Sequence, residues 1–261
     1  MCPPGDVANS LSALDTTLQA FSTLQCLRVF VPGNHDVWVE STRSVRKGRD
    51  SYQKHSVAIP EVCQLNGFVC PTQSPYVLHG VAIVGSIGWY DYTLQDPRLA
   101  HRFGARDYDR GVFDGAVWND ARYAVWLRKP DSPNWRERAQ KLPNHEIFAR
   151  FFRELRASVD QIPASIDRTL IVLHTAPFRE CLSLKDEPSP FDAHEGSTAL
   201  GAYLESLSAD RRIAVVVGHR HKKLCYERGN LRVYRSPVGY LDKEQASYAE
   251  LAVSSIGEFT L

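Results

Sequence analysis

The chain has 261 residues, enough for one or two domains and a large core. Hydrophobic residues make up 43% and charged residues 23%, the balance of a soluble globular protein. A net charge of +1 and a pI near 7.7 exclude a global field drawing the chain to nucleic acid or an anionic membrane.

No apolar run approaches the roughly 20 residues of a membrane-spanning helix. Met1-Cys2-Pro3-Pro4-Gly5-Asp6 lacks the basic and then apolar stretches of a secretory signal. The expectation is a cytoplasmic protein with no membrane partner. Its six cysteines, at 2, 26, 63, 70, 181 and 225, form no CxxC pair and no zinc-finger spacing with histidine. Free thiols in a reducing compartment are expected, with Cys63 and Cys70 alone near enough to pair.

In chain order, Ser10 to Leu24 places Leu11, Leu14, Leu18 and Phe21 on one helical face. Leu27–Val31 and Val81–Val84 are short, apolar and β-branched, as buried strands are. From about Trp89 to Pro143 the periodicity weakens. This stretch is rich in Asp, Arg, Trp and Tyr and reads as a functional loop or lid, or as a solvated excursion anchored by Trp118, Trp126 and Trp135. Asn144 is the expected N-cap of a helix carrying Ile147, Phe148, Phe151, Phe152, Leu155 and Val159, stopped by Pro163. Leu170–Leu173, Ile213–Val217 and Leu231–Tyr234 complete the strands, Ser197–Leu207 adds a helix, and Ala249–Val253 is a further strand candidate. Strands alternating with helices predict a layered α/β fold, read as a single domain over 1–261.

Chemistry follows the strands. Val31 runs into Pro32-Gly33-Asn34-His35-Asp36, Leu173 into His174-Thr175-Ala176-Pro177, and Val217 into Gly218-His219-Arg220-His221. Three strands thus deliver metal-competent side chains at their carboxyl ends, where open α/β sheets bind ligands. Gly5-Asp6 supplies a carboxylate with two oxygens ahead of the first helix. Carboxylate, amide carbonyl and imidazole without thiolate suit manganese, iron or zinc. Two such ions about 3.5–4 Å apart can activate a hydroxide and clamp a reacting phosphorus centre. The other histidines, at 55, 79, 101, 145 and 194, follow no such pattern and read as surface or structural residues.

The ordered set GD, GNHD, a strand-terminal His and GHxH resembles the calcineurin-like metallophosphoesterases. Their blocks run DxH, GDxxD, GNH(D/E), His and GHx(H/D), and the resemblance spans Gly5 to about Leu241. It implies a four-layer α/β/β/α sandwich of two sheets flanked by helices, with two divalent ions at the strand ends. By position, Asp6 would bridge, Asn34, His174 and His219 would complete one metal site, and His221 would belong to the other. His35 would act beside the phosphate on the leaving oxygen, with Asp36 orienting it. Arg179 and Arg220 are candidates for phosphate contact, or solvated surface residues. The activity implied is metal-dependent hydrolysis of a small-molecule phosphodiester or phosphomonoester by a metal-bound hydroxide. The GDxVDRG and RGNHE of the Ser/Thr phosphatases are absent, and no basic, aromatic-interleaved stripe points to nucleic acid.

One block is missing. Before Gly5 stand only Met1-Cys2-Pro3-Pro4, so neither DxH nor the strand that would carry it is expected. The second site then keeps Asp6 and His221, thin for a transition metal, and Asn9 replaces the second acid of GDxxD. The expectations open at this point are a chain starting downstream of its true start, a truncated or degenerate ligand-binding member holding one ion or none, or completion of the site from another residue such as one in the 89–143 excursion.

Overall fold

The computed structural model describes residues 1–39, 45, 49–128, 139–182 and 187–237. Helix α1 (Leu11–Gln19) begins where Ser10 accepts from the Ala13 N–H, and buries Leu14 and Leu18. After a short helical lead-in from Ser51, α2 (Ile59–Leu65) packs against it. An antiparallel pair, β1 (Tyr76–Leu78) and β2 (Val81–Ser86), opens the main sheet.

The described residues of the 89–143 excursion carry regular structure. They include α3 (Ala105–Arg110), the ribbon β3 (Val112–Phe113) with β4 (Ala116–Val117), α4 (Asp120–Tyr123), and β5 (Leu127–Arg128) paired with β6 (Gln140–Lys141). Trp89, Tyr90, Tyr108, Phe113 and Trp126 are buried in the core. Trp135 lies outside the described residues. Aromatic burial, rather than periodicity, holds this stretch down.

Helix α5 (Asn144–Val159) buries Ile147, Phe148, Phe151, Leu155 and Val159 along one stripe and packs on β2. Each such side chain contributes about 1.5–3 kcal/mol when removed from water. Asn144 is not its cap: Pro143 occupies that place. The Asn144 side chain instead donates to the Tyr92 hydroxyl at 2.6 Å and accepts from Trp89 Nε1 at 2.7 Å. Then follow β7 (Arg168–Leu173), α6 (Thr198–Ser208) capped by Ser197, β8 (Arg212–Val217), β9 (Leu224–Arg228) and β10 (Leu231–Arg235).

These strands form one mixed sheet in the order β1-β2-β7-β8-β10-β9. Its four central strands run parallel and its edges antiparallel. Of the parallel strands, β2, β7 and β8 are buried on both faces, which explains their apolar runs, whereas β10 alternates between buried and more exposed residues. One face, with Ile83, Leu170, Val172, Ala214 and Val216, packs on Val29 and Val31.

Leu27–Val31, expected as a strand, forms only an isolated parallel bridge, Val29 with Val69, and lies outside this sheet. Phe30 N–H donates to the Val69 carbonyl at 2.9 Å. On its other side Val29 and Val31 N–H groups donate to the carbonyls of Met1 and Pro3 at 2.9 and 3.4 Å. Met1–Pro3 thus fills the place that the sequence reading leaves without a strand. Prolines 3 and 4 have no N–H to give, but Met1 and Pro3 carbonyls still accept. The architecture is mixed α/β, and among the described residues no second large sheet completes a four-layer sandwich. The Ala249–Val253 candidate lies outside those residues.

No helix among the described residues is long and apolar enough to cross a membrane. All six cysteines are free, Cys63 and Cys70 included.

Candidate metal centre

At the carboxyl edge of the sheet the strand-terminal residues converge. His174 leaves β7 fully buried, and its Nδ1–H donates to the Pro4 carbonyl at 2.6 Å. That bond turns Nε2 toward Asn34 Oδ1 at 2.8 Å, His219 Nδ1 at 3.0 Å and Asp6 Oδ2 at 3.3 Å. His219 Nδ1 lies 3.1 Å from Asn34 Oδ1. Among the described residues, Asp6, His174 and His219 are the group whose ligand atoms, within 4.8 Å of one another, could hold a metal ion.

Close packing makes the convergence possible. A Cβ on Gly33 would stand 2.4 Å from Asp6 Oδ1 and 2.5 Å from His174 Cε1. Asp6 (φ 58°) and His219 (φ 66°) both adopt the left-handed conformation, which costs non-glycine residues on the order of 1 kcal/mol and gathers at functional sites.

Protonation follows from the crowding. Burial pulls the His174 imidazole down, but the Asp6 carboxylate, reinforced by the Pro4 carbonyl, outweighs it and sets the pKa at about 9. Burial and then the His174 charge hold His219 well below its usual value, so it is neutral. Burial pushes the Asp6 carboxyl up, yet the charge and the hydrogen bond of His174 prevail and lower it. Three acceptors therefore face one ring nitrogen that carries a single proton. A cation satisfies all of them better, and carboxylate, two imidazoles and an amide carbonyl are a donor set for manganese, iron or zinc. The residues present fit one such ion.

The remaining expected residues are placed as follows. His35 flanks the cluster, its ring stacked on Trp38 at 3.8 Å. Asp36 does not orient His35: its buried carboxylate accepts from the backbone N–H groups of Asp6, Val7, Ala8 and Gly33 at 2.7–3.0 Å. Burial and the Asp6 charge push its pKa up to about 6, against those donors. His221 is exposed and lines a cleft of about 350 Å³ with Asp6, His35 and His219. Neither arginine is a free phosphate contact. Arg220 pairs with Asp192 and, at 2.9 Å, with Glu195, whereas Arg179 donates to the Thr93 and Gln95 carbonyls.

Sequence reasoning missed Asp120, which comes from the excursion and takes the Asn34 Nδ2–H at 2.8 Å. It also missed Glu195, whose Oε2 lies 3.7 Å from His219 Nε2. Neither directly follows an apolar strand, and only the fold brings them in.

No family model and no curated protein sequence matches the chain. Among solved structures, it resembles a phosphopantetheinyl hydrolase from Mycobacterium tuberculosis, with a TM-score of 0.67 at 18% identity over 95% of this chain and 83% of that one. At that identity the likeness shows a shared fold. The calcineurin-like metallophosphoesterase expectation is corrected accordingly: no family model supports it, and the matching structure is described as a different hydrolase. The general phosphate-ester hydrolase inferred from that family falls with it, and the non-catalytic alternative gains no support.

Proposed function

We propose that this protein is a hydrolase acting on a substrate that bears a phosphopantetheinyl group. The reading draws its substrate from the structural neighbour and its site from this chain. The observation that carries it is the convergence of Asn34, His219 and Asp6 on His174 Nε2 at 2.8, 3.0 and 3.3 Å, at the ligand-binding edge of the sheet.

Asp6, Asn34, His174 and His219 would hold one divalent ion, which would supply Lewis-acid polarisation of the group being cleaved. The Pro4 carbonyl and Glu195 would orient the two imidazoles from behind, as outer partners of metal-bound histidines do. His35, held on the Trp38 face, would present its imidazole to the leaving group. A second ion at His221 would need partners beyond Asp6. The two-sheet arrangement belongs to this proposal too, with Met1–Pro3, Leu27–Val31 and Val69 as part of the second layer.

The test is mass spectrometry of a phosphopantetheinylated carrier protein and of coenzyme A after incubation with Mn²⁺-loaded chain. Loss of the phosphopantetheinyl mass, abolished by His174→Ala in a folded variant, is expected. Intact substrates with Mn²⁺ demonstrably bound would sink the substrate assignment.

A further inference from the structure

Asp120 is almost fully buried, and four hydrogen-bond donors point at its carboxylate. Oδ1 accepts from Asn34 Nδ2 at 2.8 Å and from Trp38 Nε1 at 2.6 Å. Oδ2 accepts from Trp118 Nε1 at 3.1 Å and from the Tyr90 hydroxyl at 3.2 Å. A carboxylate accepts on both oxygens and donates nothing, so it can serve all four; an amide cannot.

An asparagine side chain can turn either its oxygen or its nitrogen toward a site, and only its neighbours decide which. At Asn34 the acceptor on one side is Asp120, so the NH₂ faces Asp120 and the carbonyl faces His174 and His219. Reversed, the amide would aim N–H groups at the place where a cation would sit. The same carboxylate anchors the indoles of Trp38 and Trp118, which wall an adjoining cleft of about 240 Å³ that also takes in Asn34, His35 and Phe191. Because His35 stacks on Trp38, its ring plane is set through the same anchor.

We propose that Asp120 is a positioning residue that aims the Asn34 carbonyl at the ion site and fixes the two indoles lining the cleft beside it. Ion affinity and the shape of the cleft then depend on one buried carboxylate from the excursion. The proposal rests on the metal reading above.

The test uses the whole chain, comparing wild type with Asp120→Asn and Asp120→Ala. Calorimetric titration with Mn²⁺ reads the ion site, and near-ultraviolet circular dichroism reads the indoles. The dissociation constant should rise about tenfold or more, the usual cost of losing an outer-shell partner, and the tryptophan bands should change. A folded Asp120→Asn variant that binds Mn²⁺ within about twofold of wild type overturns the proposal. Should neither variant fold, the wild type itself is decisive, through asparagine side-chain ¹⁵N labelling with Asn34 identified by its loss in Asn34→Ser. A slowly exchanging Asn34 amide supports the proposal, and a rapidly exchanging one overturns it. Wild type that takes up no Mn²⁺ refutes the metal reading instead, and the amide exchange then decides the role of Asp120 alone.

Discussion

The Asp36 carboxylate accepts the Asp6 backbone N–H at 2.7 Å, while Asp6 Oδ1 accepts the backbone N–H of His35, the neighbour of Asp36, at 3.0 Å. Each acid secures the turn that carries the other. The loop bearing Asp6 is therefore fixed before any ion arrives, and its geometry depends on a residue that never faces the cleft.

Asp36→Ala should consequently destabilise the fold and not merely slow it as a catalyst. Hydrogen bonds to a charged group contribute about 1.5–3 kcal/mol each, and four amides would lose their acceptor. A loss of about 3 kcal/mol or more in urea unfolding is expected. A variant with wild-type stability and selectively reduced turnover would restore a catalytic role.

Metal loading should stabilise the protein. Ligand at about 100 times its dissociation constant adds about 2.7 kcal/mol. For a chain of this size each kcal/mol corresponds to about 2–4 °C in Tm, so saturating Mn²⁺ should raise the midpoint by about 5–10 °C. EDTA should reverse the shift, and Asn34→Ala should shrink it. A midpoint indifferent to both Mn²⁺ and chelator would argue against an ion site.

In the metal-free protein, pH acts through His174. Its pKa rises from the usual 6.5 to about 9 on folding, so the folded state holds a proton that the unfolded chain releases. That contribution is complete below about 6.5 and is lost as pH climbs through about 9. His219, lowered by folding, acts in the opposite sense but only below its usual value of 6.5. The EDTA-treated chain should lose Tm between pH 6.5 and 9, and the loss should vanish in His174→Gln. Nuclear magnetic resonance of the imidazole gives the same answer directly, and titration near 6.5 would contradict the Asp6–His174 pair.

Gly33→Ala and Gly115→Ala make a paired comparison. A Cβ at Gly33 would meet Asp6 Oδ1 at 2.4 Å, whereas one at Gly115 (φ 87°) would meet nothing within 4 Å. The second change carries backbone strain of about 1 kcal/mol and should leave Mn²⁺ binding alone. The first should cost ion affinity out of proportion to its effect on folding. Equal behaviour of the two variants would mean that Gly33 is not a point of close approach.

What was legible in the sequence was whatever lay next to a strong periodic signal. His174 and His219 were readable because apolar runs of β7 and β8 end directly before them, and a parallel sheet places such ends together. The edge strand β1 was missed because Tyr76–Leu78 is too short to show a period, and β9 because Leu224–Arg228 mixes polar and apolar types without clean alternation. Met1–Pro3 was missed because two prolines read as loop, although carbonyls alone suffice to pair with Val29 and Val31. Asp120 lies 86 residues from Asn34, in a stretch whose structure comes from buried aromatics, and no local pattern announces it. Asn144 shows the reverse failure: a good capping residue was spent on clamping Trp89 and Tyr92.

The left-handed backbone at His219 has a consequence for anyone who evolves this protein in the laboratory. Its backbone would be more comfortable with glycine, and its buried imidazole serves the cluster more than the core. A screen that rewards heat resistance alone should therefore accept His219→Gly and drift toward sturdier, inert descendants. Robustness and chemistry pull this position in opposite directions, so a selection that keeps the cluster must score ion uptake alongside survival.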